Sequence, residues 1–446
     1  MSLANNVDLK KEEGAKMTDS CNSNLLIGCV ADDFTGASDI ASFFSMGGLN
    51  VLLINNIPDI NYKPDNDIQV IVIALKSRTV EVEQAVEDSL NAFRFLLNKG
   101  CKQLYFKYCS TFDSTKRGNI GPVIDAILEE FNIKYTIISP ALPVNGRIVK
   151  NGNLYVNGIQ LAESSMRNHP LTPMWASRIS ELMKDQGKYK TYEITGDILN
   201  EGKNKVKNYI DGLLLEEEEH FYLALGYYND DHAKKIIDIF GRLPLLTGSS
   251  GLAYELAKSY CINQNKKENV SNKAIDGRGI IISGSCSIST VNQIEDYICK
   301  CGYSLEISLE KLINGDQTVE NLLDKIYNST SKNILIYSCN KDISSYESNI
   351  SQREKSEILE HVMAEIGKDV ISNGFNKIIV AGGETSGSVT KALGFNSYLI
   401  GPIVSPGVPV LIPEGNTDIR IVLKSGNFGD RDFFTRALDL IEGDFY

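Results

Sequence analysis

No stretch of this chain approaches the roughly twenty consecutive apolar residues needed to cross a bilayer, and its start has no signal-peptide core, so a cytoplasmic protein is the expectation. Histidine is scarce. The four present, His169, His220, His232 and His361, share no metal-ligand spacing, which speaks against a metal hydrolase. The nine cysteines are odd in number and scattered. Most lie in or beside apolar runs, as Cys29, Cys109, Cys286 and Cys339 do, which suits reduced thiols better than a disulfide framework. Cys299 and Cys301 have no matching pair elsewhere to complete a zinc site. An excess of positive charge is also missing: 45 Lys and Arg stand against 57 Asp and Glu, a formal charge of −12. That balance argues against nucleic acid or an anionic membrane as a bulk partner, though a local basic pocket can still hold a small anion. No glycine-rich run ends in Gly-Lys-Ser/Thr, and the protein-kinase motif set is absent.

At 446 residues the chain exceeds what one hydrophobic core usually supports, so two domains are expected. Residues 1–24 are polar and aperiodic and read as a loose tail, within which Met17 offers an alternative start. Apolar runs of buried-strand length follow at 25–30, 50–54, 70–74, 104–107 and 135–139, with amphipathic helical patterns at 37–46, 82–97 and 120–131 between them. The alternation breaks at 147–168, where Asn151-Gly152-Asn153 predicts a tight hairpin, and it returns at 221–258. Residues 263–276 are polar and predict a linker between a domain at 25–262 and a second at 277–446. The second has strands at 279–283, 304–307, 334–337 and 377–381 and helices at 288–300, 316–328 and 353–373. The expected fold class is α/β, each domain a largely parallel sheet flanked by helices, with ligands beyond the carboxyl ends of the strands.

The chemistry concentrates at those ends. Asp32 and Asp33 follow the first strand and precede Gly36, as site acids or, for Asp33, as a helix cap. The segment 107–121 combines Lys107, Lys116 and Arg117 with Asp113 and the hydroxyls Ser110, Thr111 and Ser114, a mixture that can hold an oxygen-rich anion. Arg147 is a further cation at a strand end, and Glu163 and Arg167 lie in the irregular insertion where a specificity loop is expected. Three more strand-to-helix turns are rich in glycine and hydroxyls. They are Ser283 to Thr290, with Ser285 and Ser287; Gly382, Gly383, Glu384, Thr385, Ser386 and Gly387; and Lys424-Ser425-Gly426-Asn427-Phe428-Gly429. Such turns offer backbone N–H groups to phosphate, and a nucleotide is the natural occupant.

In these loops the chain resembles the four-carbon acid sugar kinases. The resemblance runs from about residue 25 to 438 and rests on Ala31-Asp32-Asp33-Phe34-Thr35-Gly36-Ala37, Tyr108 to Thr115 with Gly118-Asn119-Ile120-Gly121, and Leu154-Tyr155-Val156-Asn157-Gly158. It continues in Ser283 to Ser287, Gly382 to Gly387, Gly407-Val408-Pro409 and Lys424 to Gly429. It implies a cytoplasmic enzyme whose first domain binds a sugar acid and whose second binds ATP, with Mg²⁺ bridging the phosphates. The Cys-Ser-Thr-Phe-Asp-Ser-Thr form at 109–115 looks like the branch acting on 3-oxo acids, with transfer of the γ-phosphoryl to a C4 hydroxyl. Carried over by motif, Ser283, Gly382 to Thr385 and Gly426 contact ATP. Asp33 or Asp113 is expected to deprotonate the hydroxyl and Arg117 or Lys107 to hold the carboxylate. Open alternatives are a kinase for erythronate or threonate, a lyase or aldolase with Lys107 as Schiff base, and a sugar-acid sensor without turnover. The oligomeric state, a homodimer included, stays open.

Overall fold

The computed structural model describes residues 24–65, 67–169, 172–261, 273–338, 351–426 and 428–443. The expected tail, apart from Asn24, and the stretch 263–272 of the expected linker lie outside these residues.

Ile27-Gly28-Cys29-Val30-Ala31 has no polar face to turn to water, and it forms a strand, β1 (Ile27–Ala31), buried along its whole length. Seven further strands lie parallel to it: β2 (Val51–Asn55), β3 (Val70–Ala74), β4 (Gln103–Lys107), β5 (Tyr135–Ser139), β9 (Lys190–Ile194), β10 (Phe221–Leu225) and β11 (Leu245–Gly248). Between β5 and β9 the chain makes a small antiparallel sheet of β6 (Arg147–Lys150), β7 (Asn153–Val156) and β8 (Ile159–Gln160). The Asn151-Gly152 turn has the two positive φ angles, 50° and 76°, that a two-residue hairpin of this twist requires. Mutual backbone bonds between Val149 and Tyr227 dock this insertion just beyond the end of β10.

The second half contributes β12 (Arg278–Ser283), β13 (Ser304–Glu306), β14 (Asn333–Tyr337), β15 (Phe375–Ala381), β16 (Ser397–Ser405), β17 (Val408–Pro413) and β18 (Arg420–Lys424). Alternate side chains serve opposite faces here. Ile280, Ile282, Ile378 and Val380 join a core continuous with the first half, while Ile281 and Ile379 pack with Tyr297, Phe433 and Phe434.

Among the described residues, the fifteen strands outside the insertion form one sheet, in the order β13-β14-β12-β15-β18-β17-β16-β2-β3-β1-β4-β11-β5-β10-β9. Two parallel blocks are present as expected. What the sequence reading did not anticipate is the antiparallel hairpin β16–β17 that fuses them, pairing with β18 on one side and β2 on the other. Three successive antiparallel pairings set the two blocks in opposite senses. Six strand steps separate β15 from β1. At roughly 20–25° of twist per step the sheet turns by roughly 120–150° over that distance, which swings the two carboxyl edges back toward each other. Each block also has a switch point. The strand order reverses at β1, between β3 and β4, and again at β12, between β14 and β15. No helix among the described residues is long and apolar enough to cross a membrane.

Candidate active site

At the first switch point, the backbone of Asp32 is stitched into the sheet edge on both sides. Its N–H donates to Lys107 O at 3.0 Å, and its C=O accepts from Ser77 N–H at 3.1 Å. The loop after β3 is thereby drawn over the end of β1, and it brings Arg78. The guanidinium forks onto Asp32, with Nε to Oδ2 and Nη2 to Oδ1 both at 2.9 Å. Its remaining nitrogen, Nη1, lies 2.9 Å from Asp33 Oδ2 and 4.0 Å from Asp113 Oδ2. One planar cation thus gathers three carboxylates from two loops, a task suited to arginine's fixed fork of donors. Burial opposes its charge, yet Asp32 and Asp33 hold the guanidinium well above its ordinary value.

Asp33 has two roles at once. Oδ1 caps the helix Phe34–Met46 by accepting from Gly36 N–H at 2.7 Å, and Oδ2 turns to Arg78. Asp113 is set by a strained turn: Phe112, buried against Tyr108, has φ of 53°, an uncommon conformation for a bulky residue. Thr111 Oγ1 donates to Asp113 Oδ1 at 2.5 Å. Lys107 ends β4 with its ammonium buried, donating to Tyr108 O at 3.0 Å and lying 3.9 Å from Asp39 Oδ2. Burial raises the Asp39 carboxyl, and Lys107, Ser250 and the more distant Arg147 oppose that rise.

Other expected residues sit differently. Ser114 is buried with its hydroxyl donating to Gln186 Oε1 at 3.0 Å, so it fastens the loop to the body of the domain. Ser110 is half-buried beside Thr111. Arg147 donates from Nη1 to Asn145 O. Arg117 and Arg167 are exposed and do not line the cleft described below.

At the second switch point the ends of β12, β15 and β18 are spliced together: Gly284 N–H donates to Ala381 O and Gly382 N–H to Lys424 O, both at 3.0 Å. Gly382 turns with φ of 125°, which a side chain would oppose, and starts the helix Gly383–Leu393 with no side-chain cap. Among the described residues no side chain caps its first-turn N–H groups, which can therefore take an anionic partner. Ser287 caps the helix Ile288–Cys301 and also donates to Gly426 O, as does Thr290 Oγ1 at 2.8 Å. Beneath them Lys424 Nζ donates to Thr290 Oγ1 at 2.9 Å and to Gly426 O at 3.2 Å, and burial pulls this amine down to about 8. Lys424 therefore organises the loop from below. Ser283 is buried with its hydroxyl unpartnered among the described residues, and Ser285 Oγ bonds Ser287. Asn427 lies outside the described residues.

The two loop clusters face one another across a cleft of about 660 Å³. Asp33, Thr35, Ser38 and Lys76 line one wall, and Gly383, Glu384, Ser386 and Ser425 the other. No three His, Cys, Asp or Glu side chains gather as a metal cage among the described residues. Mg²⁺ in a nucleotide site needs only one or two carboxylates besides phosphate oxygens and water, and Glu384 presents one from the nucleotide-side wall.

Residues 27–256 match the family described as sugar-binding N-terminal domain, and residues 280–434 the nucleotide-binding C-terminal domain. The 3-oxo-tetronate kinase of Pectobacterium atrosepticum is 39% identical over 92% of this chain and 98% of its own length. This chain belongs to the 3-oxo-tetronate kinase family of four-carbon acid sugar kinases. The Brucella melitensis 3-oxo-tetronate kinase is 37% identical over 94% of this chain and 97% of its own. Within the same fold, a Salmonella typhimurium crystal structure superposes with a TM-score of 0.84 at 36% identity, covering 92% of this chain and 98% of the other. A Haemophilus influenzae structure gives 0.79 at 37%, covering 93% and 100%.

Against this family frame, the sequence reading overlooked Arg78, Asp39 and Lys76. Lys76-Ser77-Arg78 lie one residue beyond the end of β3, so the rule that ligands gather beyond strand carboxyl ends was the available signal for two of them.

Proposed function

We propose that the chain is an ATP-dependent kinase that transfers the γ-phosphoryl group to the C4 hydroxyl of a 3-oxo-tetronate, 3-dehydro-erythronate or 3-dehydro-threonate, giving the 4-phosphate and ADP. The observation that carries this reading is the shared cleft, where Asp33 from one switch point faces Gly383 and Ser386 from the other. Relatives similar over nearly their whole length are named 3-oxo-tetronate kinase, which supports the acceptor class.

Phosphoryl transfer asks for in-line placement and for neutralisation of charge on the transferring oxygens. ATP would lie along Ser283, Ser285 and Ser287, the turn from Gly382 to Ser386, and Gly426, with phosphates at the uncapped start of the helix Gly383–Leu393. Mg²⁺, for which Glu384 is the carboxylate on the nucleotide-side wall, would supply charge compensation to the phosphate oxygens. The acid would lie on the Asp33 side, its carboxylate toward Lys107, whose ammonium is buried just behind Gly36, outside the cleft lining, and has donors to spare beyond the bond to Tyr108 O. Asp33 is the better candidate to accept the C4 hydroxyl proton, because it lines the cleft with 31% of its side chain exposed, whereas Asp113 is 10% exposed and does not. Arg78 sets the spacing of both acids.

The test incubates the protein, ATP and Mg²⁺ with a panel of tetronates and 3-oxo-tetronates and locates the new phosphate by NMR. Phosphorylation at C4 of a 3-oxo acid supports the proposal. Turnover confined to erythronate or threonate moves the substrate, and no ADP above background with any acid ends it.

A further inference from the structure

The β16–β17 hairpin reaches past the sheet to the acceptor side of the cleft. At its turn, Gly407 has φ of 82° and is wedged between two side chains. A Cβ built there would stand 2.5 Å from Asp39 Oδ1 and 3.1 Å from the Phe428 ring. Phe428 belongs to the loop after β18 and lines the cleft together with Gly407. Asp39 belongs to the helix that Asp33 caps, and only 7% of it is exposed. Its two oxygens are treated unequally. Oδ2 accepts from Ser250 Oγ and lies 3.9 Å from Lys107 Nζ, whereas Oδ1 has no hydrogen-bond partner among the described residues.

A buried carboxylate oxygen without a donor costs stability, so a carboxylate at this place calls for a reason other than packing. The reason the geometry offers is Lys107, whose buried ammonium has Asp39 as its ion-pair partner within 4 Å among the described residues. The contacts run from the nucleotide-side loop at Phe428, through Gly407, to Asp39 and so to Lys107.

We propose that Asp39 is a positioning residue that orients the Lys107 ammonium toward the acceptor acid, and that the hairpin tip at Gly407 seats on Asp39, so that the nucleotide block completes the acceptor side. This rests on the kinase reading given above. Asp39→Asn keeps the shape and can still accept from Ser250, but removes the charge facing Lys107. A Cβ at Gly407 strains the turn and presses on Asp39, and shortening Asp39 relieves only the second effect.

The test measures steady-state kinetics of the full chain with 3-dehydro-erythronate and ATP, each varied at saturating levels of the other. Asp39→Asn is expected to raise KM for the acid by about tenfold or more while KM for ATP stays within about twofold, a split that general loosening of the fold would not produce. Ser250→Ala, a milder change, should move the acid KM the same way by less. Gly407→Ala should raise the acid KM about fivefold in the native background and less than about twofold in Asp39→Ser, because contacting residues are non-additive. Equal effects of Gly407→Ala in both backgrounds would overturn the seating. An acid KM unchanged in both Asp39→Asn and Ser250→Ala, with normal turnover by the unmodified protein, would overturn the positioning role and leave the kinase reading standing. If the unmodified protein makes no ADP with any four-carbon acid, the kinase reading fails and this inference falls with it.

Discussion

Arg78→Ala is the perturbation that most directly probes how the acceptor side is held. It leaves Asp32, 4% exposed, with its forked partner gone, and frees Asp33 and Asp113 from their common cation. Removing one member of a buried ion pair typically costs about 3–5 kcal/mol, because the other charge stays behind without compensation. Arg78 keeps 22% of its side chain exposed, so solvent screening trims the expectation to about 2–4 kcal/mol. At about 2–4 °C per kcal/mol for a domain of this size, the melting temperature should fall by about 4–16 °C. The loss should depend on pH. Burial raises the folded-state value of Asp32 above the ordinary carboxylate range, and deleting Arg78 removes the main opposing influence. The unfolded chain then gives up its proton at a lower pH than the folded one, so the penalty is small in acid and grows as pH rises through and above the usual carboxylate range. Arg78→Lys should rescue little, since an ammonium cannot reproduce a fork onto Asp32 together with a third contact to Asp33. Thermal melts at about pH 5 and pH 8, with turnover of the acid alongside, check this. A melting point within about 2 °C of the parent at both pH values, or full rescue by lysine, would refute the reasoning.

Asp33→Asn should lower kcat by about 10²–10⁴-fold while leaving the affinity for a non-hydrolysable ATP analogue nearly unchanged by calorimetry, and a loss mainly in nucleotide affinity would assign Asp33 elsewhere. Burial brings Lys424 to about 8, below the 10.5 of an exposed lysine. The unfolded chain thus holds the extra proton between those values, and the stability this amine costs at neutral pH fades as pH rises through that window. The deprotonated amine also has one donor fewer for Thr290 and Gly426, so KM for ATP should rise about threefold between about pH 7 and 9, and that rise should vanish in Lys424→Met. Ser114→Ala should cost about 0.5–1.5 kcal/mol in a urea melt through its bond to Gln186, with the acid KM within about twofold. A large change in KM there would instead put the hydroxyl on the substrate.

What could be read in advance was whatever is local. β1, β3 and β15 are short apolar runs, and burial on both faces is what such runs require. Asn151-Gly152 carries its turn geometry in two residues. The strand-end loops at Asp32, Ser283, Gly382 and Gly426 were likewise legible, because glycines and hydroxyls cluster there. The hairpin β16–β17 was not. Pro402, Pro409 and Pro413 lie within it, and proline withholds the N–H that a ladder uses. The fold accommodates Pro402 where the pairing slips between Ile400 and Ile403, so the irregularity that hid the strand is the irregularity that lets it exist. Strand β9 escaped for another reason: Lys190-Thr-Tyr-Glu-Ile194 is a half-exposed edge strand without a continuous apolar run. Arg78 poses the deepest problem, since its partner Asp32 is 46 residues away and nothing near it in the chain says which carboxylate its fork will meet. Periodicity identifies a strand and where it ends, but the neighbours of that end depend on sheet order. Here the order matters twice: the reversal at β1 brings Arg78 to Asp32, and the antiparallel β16–β17 with the accumulated twist brings Asp33 across from Gly383.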